Sequence, residues 1–395
     1  MPLQVAIGFS QDKNPEVAAK NAAFEAKSNL GADRIDAAVV FSTIHYDPHR
    51  TVPIIQRVLN NAPMLGTSTT GIILSNGIKT SGLAVLAMSS DTMKFGLGTL
   101  ENINPHEPYP AGLNFTKNCL EGFGMHARHL FLFFMDGHLD NNSPMLKGMQ
   151  EVLGNVFPMV GAGSSDDFHF KRTFQIHNNR VLKHAAVGLI FGGSLNLGIG
   201  SRHGWRPLGK PRLIEEANGH IIKTIDGKKA SKLYEEYFGR DITALQFTKL
   251  GQMSILYPLG IFVEGSKEYL LRNVVDIMND GSIVCQGEVP TDSEVHIMIG
   301  NKESSKQAAL EAAREARENL LGKEPKLLLI IESMARLKLL GRSAYQEIEK
   351  VKQVFGENIP IIGMFSNGEI YPFQALERFK KPHFQNESIT ILAMG

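Results

Sequence analysis

Apolar positions along the chain follow a pattern that occurs three times. Strand-like runs at residues 37–41, 129–135 and 326–331 are each followed by a stretch of helical periodicity, at 52–60, 145–153 and 344–355. Each helix leads into Pro-apolar-apolar-Gly: Pro63-Met-Leu-Gly66, Pro158-Met-Val-Gly161 and Pro360-Ile-Ile-Gly363. A run of small, polar and Gly residues comes next, then another apolar strand at 83–88, 186–191 and 389–394. The unit therefore reads strand, helix, strand, loop, strand. It extends upstream, since an apolar run at 5–8 precedes the Ala-rich helix 15–30 just as one at 296–300 precedes helix 304–321. In the middle copy, 95–98 precedes a poorer helix at 111–122, interrupted by Gly112 and started near Pro110. Alanines 308, 309, 312, 313 and 316 put small side chains on one helical stripe, which predicts a helix lying close on a sheet.

Copies one and two are nearly contiguous, whereas roughly 90 residues of different character separate Gly200 from the third, too long for a loop. Within them, 205–211 is rich in Pro and Gly, 219–227 alternates like a hairpin strand and 230–238 reads as a short helix. Strands at 270–278 and 282–286 flank the turn Asn279-Asp280-Gly281. The expected fold class is α/β: two layered α/β domains with mixed sheets, built from the repeated unit. Residues 1–225 hold two copies and 226–395 the third.

Composition narrows the function classes. The 395 residues are 43% hydrophobic, enough for two or three cored domains, and disorder, collagen and small disulfide scaffolds are excluded. Net charge is +1, with 41 basic against 40 acidic residues, so no electrostatic footprint points to nucleic acid or an anionic membrane. Only Cys119 and Cys285 are present, which suits reduced, packed thiols. The N-terminus lacks a secretory pattern, and the longest uncharged apolar stretch, 185–200, is shorter than the roughly 20 residues a membrane helix needs. A soluble cytoplasmic protein, without membrane insertion, is expected.

Candidate chemistry gathers after the Pro-apolar-apolar-Gly steps, because in open α/β sheets ligands sit beyond the carboxyl ends of strands. Copy one offers Gly66, Thr67, Ser68, Thr69 and Gly71; copy two Gly161, Gly163, Ser164, Asp166 and Asp167; copy three Ser366, Gly368 and Glu369. Hydroxyls and backbone amides suit a carboxylate, and the acids suit an ammonium, so a small zwitterion such as an amino acid fits the set. The same residues also make ordinary turns, and both readings stay open. Arg272 and Arg336 are candidates for holding a carboxylate bidentately, although an alternating strand also suits a solvated Arg272. Phosphate-loop, zinc-helix and Cys-x-x-Cys patterns are absent, Ser68 lacks the spacing of a nucleophile elbow, and His126 and His129 flank a strand start. No metal, cofactor or catalytic residue is expected.

The order of these motifs resembles FIST proteins, with an N-terminal and a C-terminal FIST domain. Gly66 to Gly71 matches the family's Gly-Ser/Thr segment, and Gly161 to Asp167 matches loosely a Gly-Gly-x-Ala-Gly-Asp segment, from which Ala162, Ser164 and Ser165 depart. Tyr269-Leu-Leu-Arg272 is similar to the family's Arg-bearing strand, and Pro360-Ile-Ile-Gly-Met-Phe-Ser-Asn-Gly-Glu-Ile370 to its C-terminal signature. Where the family has Cys-x-x-Arg, this chain has Ser333-Met-Ala-Arg336, so the arginine carries over and the thiol does not. The resemblance implies a sensory module that binds a small, amino-acid-like ligand. With no kinase, cyclase, methyl-accepting or F-box segment in view, the signal would pass to a separate protein partner. An enzyme on a small metabolite and an interaction scaffold with a vestigial site are the alternatives.

Overall fold

The computed structural model describes residues 2–139, 141–239, 256–266, 268–373 and 380–395. Unit one comprises β1 (Gln4–Ser10), α1 (Pro15–Asn29), β2 (Ala37–Thr43), α2 (Pro48–Val58), β3 (Met64–Thr69), the hairpin β4 (Ile72–Leu74) and β5 (Gly77–Lys79), and β6 (Leu83–Ser89). Unit two repeats it as β7 (Met93–Leu100), α3 (Pro108–Phe123), β8 (Arg128–Met135), α4 (Ser143–Leu153), β9 (Met159–Gly163), the hairpin β10 (Gln175–His177) and β11 (Arg180–Leu182), and β12 (Ala186–Gly193). Unit three opens with β13 (Leu197–Arg202) and is then interrupted by an insertion. That insertion holds β14 (Arg206–Asn218), β15 (Ile221–Ile225), β16 (Lys228–Lys229), α5 (Ser231–Phe238), β17 (Leu259–Ile261), β18 (Leu270–Arg272), β19 (Val274–Ile277), β20 (Ile283–Cys285) and β21 (Ser293–Ile299). Unit three resumes with α6 (Lys302–Asn319), β22 (Leu327–Ser333), α7 (Met334–Leu340), α8 (Tyr345–Phe355), β23 (Ile361–Ser366), the hairpin β24 (Glu369–Pro372) and β25 (Pro382–Gln385), and β26 (Ile389–Met394).

The fold is α/β with mixed sheets. Three six-stranded sheets share one plan, in which first, last and second strands pair antiparallel, the third joins in parallel, and a hairpin from another unit closes the edge. Sheet one takes hairpin β10–β11 from unit two, sheet two takes β24–β25 from unit three, and sheet three takes β4–β5 from unit one. The exchange is cyclic. Sheets two and three consequently combine strands from both sides of residue 225. The insertion forms the fourth sheet, in the order β18-β17-β21-β14-β15-β20-β19 with β16 beside β15, and packs its own core against α5.

Strand alternation explains the layers. Val39 and Phe41, Leu132 and Phe134, and Leu329 and Ile331 point inward to one core shared by the three sheets, where Phe41 meets Phe134 edge-on at 5.5 Å. Their neighbours Val40, Phe133 and Ile330 face outward to the helices. Burial on both faces is why these strands read as continuous apolar runs. The alanine stripe of α6 is buried as expected, and it lies on Gly198 and Gly200, where a Cβ would stand 2.1 and 2.0 Å from the carbonyls of Ala316 and Ala312. Helix α1 lies on Gly8 of β1 in the same way, 2.0 Å from the Ala22 carbonyl.

One expectation differs from the structure. Spacing assigns 296–300 to the opening of unit three, but β13 holds that place, pairing with β26 as β1 pairs with β6; the 296–300 run ends β21 of the insertion. An insertion directly before α6 brings a foreign strand next to the helix in sequence but not in space. The Pro- and Gly-rich segment 205–211 opens the insertion. It enters β14, where the register steps from Leu208 to Arg212 and accommodates Gly209 at φ +76 and Pro211 in a bulge.

Candidate functional site

The third strands of the three units end at a common junction, and the loops singled out by sequence meet there. Thr67 Oγ1 donates to Ser164 Oγ at 2.9 Å, Thr70 N and Oγ1 both donate to Ser165 Oγ at 2.9 Å, and Ser165 Oγ donates to the Phe365 carbonyl at 2.6 Å. Thr69 Oγ1 reaches the same carbonyl at 2.8 Å, the Gly71 carbonyl accepts from Phe365 N, and Gly163 exchanges backbone bonds with Gly368 and Asn367. Ser68 Oγ accepts from Phe174 N at 3.2 Å. Thr67, Ser68, Thr69, Ser164 and Ser165 are buried, and their hydroxyls bond one another and nearby backbone groups rather than facing an open surface. The glycines permit the approach. A Cβ at Gly66 would stand 2.4 Å from the Val40 carbonyl, at Gly161 2.4 Å from the Phe133 ring, and at Gly163 2.3 Å from the Asn367 carbonyl.

Asp166 closes its own loop, accepting from the amides of Phe170, Lys171 and Arg172 at 2.7, 2.5 and 2.8 Å. Burial opposes its charge, but His138 and these three donors hold its carboxyl below the usual range. Asp167 is half-buried at φ +56.

A second constellation stands at the carboxyl ends of β22 and β23. Ser333 caps α7, accepting from Ala335 N at 3.3 Å, and so aims Arg336 inward. Arg336 is fully buried, 5.7 Å from the Trp205 ring centroid. It donates to the carbonyls of His203, Glu387 and Ser305 at 2.5, 3.0 and 2.8 Å and to the Glu347 carboxylate. Around it lie four fully buried glutamates, Glu332, Glu347, Glu369 and Glu387. Glu369 Oε1 accepts from Ser366 Oγ at 2.5 Å, and Oε2 accepts from Ser388 N and Oγ at 3.1 and 2.8 Å. Gly368, at φ +98, turns the chain so that Glu369 points inward.

One guanidinium cannot balance four carboxylates, and protonation answers the excess. Burial pushes Glu369 up to about 7 against the pull of Ser366, Ser388 and Arg336. Burial and the Glu347 carboxylate push Glu332 well above the usual range. Glu347 is also raised by burial, less so because Arg336 holds it, and burial with nearby Glu369 raises Glu387. Both oxygens of Glu332 and Oε2 of Glu347 lack a donor; a proton on Glu332 donated to Glu347 pairs one oxygen of each and leaves the second Glu332 oxygen without a donor among the described residues. Asn273 and Ser333 stand near Glu387, yet among the described residues no donor completes a hydrogen bond to either of its oxygens. Trp205 Nε1 and Arg336 Nε are likewise buried without an acceptor among the described residues.

The structure thus brings Arg336, Ser366, Gly368 and Glu369 into one cluster and sets Arg272 one strand away. Arg272 is buried rather than solvated, donating to the carbonyls of Glu288, Leu271 and Phe384 at 2.8, 2.8 and 3.0 Å. Sequence reasoning missed Glu332, Glu347, Glu387 and Ser388. Glu332 carried a legible signal, an acid continuing the apolar strand 327–331; Glu347, on an amphipathic helix, carried none. A cleft of about 180 Å³ opens beside the cluster, with Ser201, Arg202, Glu268 and Tyr371 on its wall. Among the described residues no group of His, Cys, Asp and Glu is arranged to hold a metal ion, and no helix is long and apolar enough to cross a membrane. Burial keeps both thiols protonated, raising Cys285 to about 12 and Cys119 further.

Comparison with known proteins agrees with the motif order. Residues 36–228 match the FIST N domain and residues 230–372 the FIST C domain. An uncharacterized protein of Methanocaldococcus jannaschii is 25% identical over 237 residues, which cover 56% of this chain and 43% of the relative, so the match spans less than half of that protein's length. Among solved structures, two of cyanuric acid hydrolase, the second from A. caulinodans, align over 100% of this chain and 100% and 99% of theirs, at 9% and 8% identity and TM-scores of 0.37 and 0.39.

Proposed function

The chain belongs to the FIST family, and from that premise we propose that it is a cytoplasmic sensor of a small, amino-acid-like molecule that passes its signal to a separate protein partner. The observation that carries this reading is the buried carboxyl cluster. Four glutamates against Arg336, with oxygens that no described donor satisfies, are a burden on stability that a recognition role explains. A ligand bearing an ammonium supplies what the cluster lacks, and a carboxylate on the same ligand finds guanidinium nearby. In this reading Glu369 and Arg336 set the charge of the site, Arg272 braces the strand beside it, and the junction residues from Gly66 to Gly71 and from Gly161 to Asp167 hold the frame on which it stands.

The test is thermal melting against a metabolite panel, followed by calorimetry with each compound that stabilises the protein. A ligand at 100 times its dissociation constant adds about 2.7 kcal/mol of stability. Glu369→Gln keeps the shape and cannot ionise, so above pH 7 it should retain the fold and lose about 1.5 to 3 kcal/mol of binding. Equal affinity in wild type and variant removes Glu369 from the site, and a panel without any stabilising compound removes the sensor reading.

A further inference from the structure

We infer that the insertion is held on the three-sheet frame by a proton-operated clasp, the segment 385–388, which stays closed while Glu387 and the carboxyls around it are protonated and releases the insertion when they ionise. The clasp works without a ligand and lies beyond the sensor reading. Among the described strands, the fourth sheet is built from the insertion alone, so no ladder of backbone bonds ties it to the frame. Side chains of the clasp make the attachment instead. Gln385 Oε1 accepts from Leu271 N at 2.9 Å, Asn386 Oδ1 accepts from Asn273 N at 3.1 Å, and Asn386 Nδ2 donates to Gln286 Oε1 at 2.8 Å. All three partners belong to the insertion.

On its other side the same segment enters the carboxyl cluster. The Glu387 carbonyl accepts from Arg336 Nη1 at 3.0 Å, and Ser388 donates to Glu369 through both N and Oγ. Arg336 Nη1 also holds the His203 carbonyl, where the chain leaves β13 for the insertion, and the guanidinium lies against Trp205. Glu387 stands between these contacts. It is fully buried at φ +63, a left-handed value that is costly for a residue with a side chain, and neither carboxyl oxygen receives a hydrogen bond from a described donor. Strain and an unserved carboxyl at one buried position point to a switch rather than to a stabilising contact.

The charged and titratable groups around Glu387 set the direction. Glu369 comes from β24, Glu332 from β22, Glu347 from α8 and Arg336 from α7, with His203 and Glu268 facing Arg336 from the insertion side and the Tyr371 hydroxyl beyond Ser388. Arg336 is the cation among them and is already engaged by Glu347, while burial lowers His203 and keeps it neutral. A charge on Glu387 therefore joins that of Glu369 in a sealed core, and a buried, unpaired carboxylate costs more than the side-chain bonds of the clasp supply. Burial and Glu369 hold the Glu387 carboxyl well above the usual range, and Glu369 itself is raised to about 7. Both folded-state values lie above the unfolded ones, so the closed state is favoured at low pH and loses its advantage as pH rises through 7 and beyond. On the frame side β22 is laddered to β23 and β26, so the contact that yields is the one to the insertion.

The experiment is residue-resolved hydrogen exchange of the full chain between pH 6 and pH 9, each amide corrected for its intrinsic rate, with Trp205 emission followed on the same samples. From pH 6 to pH 9 the amides of Leu271, Asn273 and Ser388 should lose protection by about tenfold or more, while strands β2, β8 and β22 and the β14–β15 ladder keep theirs. Trp205, buried when the insertion is docked, should shift to the red along the same curve. Glu387→Gln cannot ionise and should hold the Leu271 amide at pH 9 at its pH 6 protection. Asn386→Ala should lower the protection of Leu271 at pH 6 already, although Gln385 is untouched, and it decides the clasp's role if Glu387→Gln does not fold. The clasp is overturned by Leu271 and Asn273 protection that stays constant across the range, by frame and insertion losing protection together, by a wild-type pH response in Glu387→Gln, or by wild-type protection of Leu271 in Asn386→Ala.

Discussion

The single hydroxyl hydrogen of Ser366 faces two acceptors, the Glu332 carbonyl at 3.1 Å and Glu369 Oε1 at 2.5 Å, and a proton on Glu369 resolves the conflict. Protonated Glu369 donates to Ser366, which donates onward to the carbonyl, while Ser388 serves the other oxygen. This sets a direction for pH dependence. The folded-state carboxyl is raised from 4.5 to about 7, so across that window the fold keeps a proton the unfolded chain has released. Stability therefore falls as pH rises through the window and stays low above it, by about 3 kcal/mol for this group. Glu369→Gln, whose amide can donate to Ser366 and accept from Ser388, should be more stable than wild type above pH 7 and should flatten the slope below it. Urea unfolding at a series of pH values checks this, and parallel curves for the two proteins would contradict it. Arg336 behaves oppositely. Arg336→Met strands Glu347 and should cost about 3 to 5 kcal/mol, most of it recovered when Glu347→Leu is added, a coupling that a double-mutant cycle measures.

At the scale of elements, the first strand of each unit has glycine where a helix must come close. Gly200 meets the Ala312 carbonyl, Gly8 the Ala22 carbonyl, and Gly98 the backbone of Cys119 at 2.5 Å. Gly200→Ala must push α6 from β13 and should cost about 1 to 3 kcal/mol, read as a lower urea midpoint; Gly8→Ala should match it. Alanine at Gly322, where no atom lies within 4 Å but φ is +80, tests strain without crowding and should cost less. The junction makes a similar demand. Thr69→Val keeps the shape of the side chain, removes the hydroxyl that donates to the Gly71 and Phe365 carbonyls and accepts from Gly71 N, and should cost about 1 to 3 kcal/mol.

For the whole molecule the cyclic exchange of hairpins sets cooperativity. Sheet three lacks its edge without residues 72–79, and sheet two lacks its edge without 369–372 and 382–385, so each half completes the other. The prediction is one unfolding transition for the full chain. Trp205, the sole tryptophan, sits against Arg336 beside the cluster and reports locally, while far-ultraviolet circular dichroism reports all sheets. The two signals should melt together, and residues 1–225 expressed alone should fail to give that cooperative transition, leaving strand edges open to aggregation. Separate transitions would show that the exchange does not couple the halves.

Local order was legible because it depends on spacing alone. Three strand-helix units, the turn at Asn279 to Gly281, the alanine face of α6 and an independent segment after Gly200 all follow from periodicity and from Gly and Pro placement along the chain. The conjunction of Gly368 and Glu369 at a strand end also marked the cluster, since the turn and the acid are neighbours in sequence. Partnership was settled only in three dimensions. Nothing in the segment 72–79 says that it pairs with β23, nearly three hundred residues on, rather than with its own unit, because an apolar hairpin suits either edge. Pattern reading left Arg272 open between a solvated face and a carboxylate site and gave Glu347 no role. Both are buried because backbone carbonyls and Arg336, distant in sequence, arrive to meet them. Sequence periodicity determines which face of an element is apolar, while the charge and the partner found at a buried position are decided by what the fold packs against it.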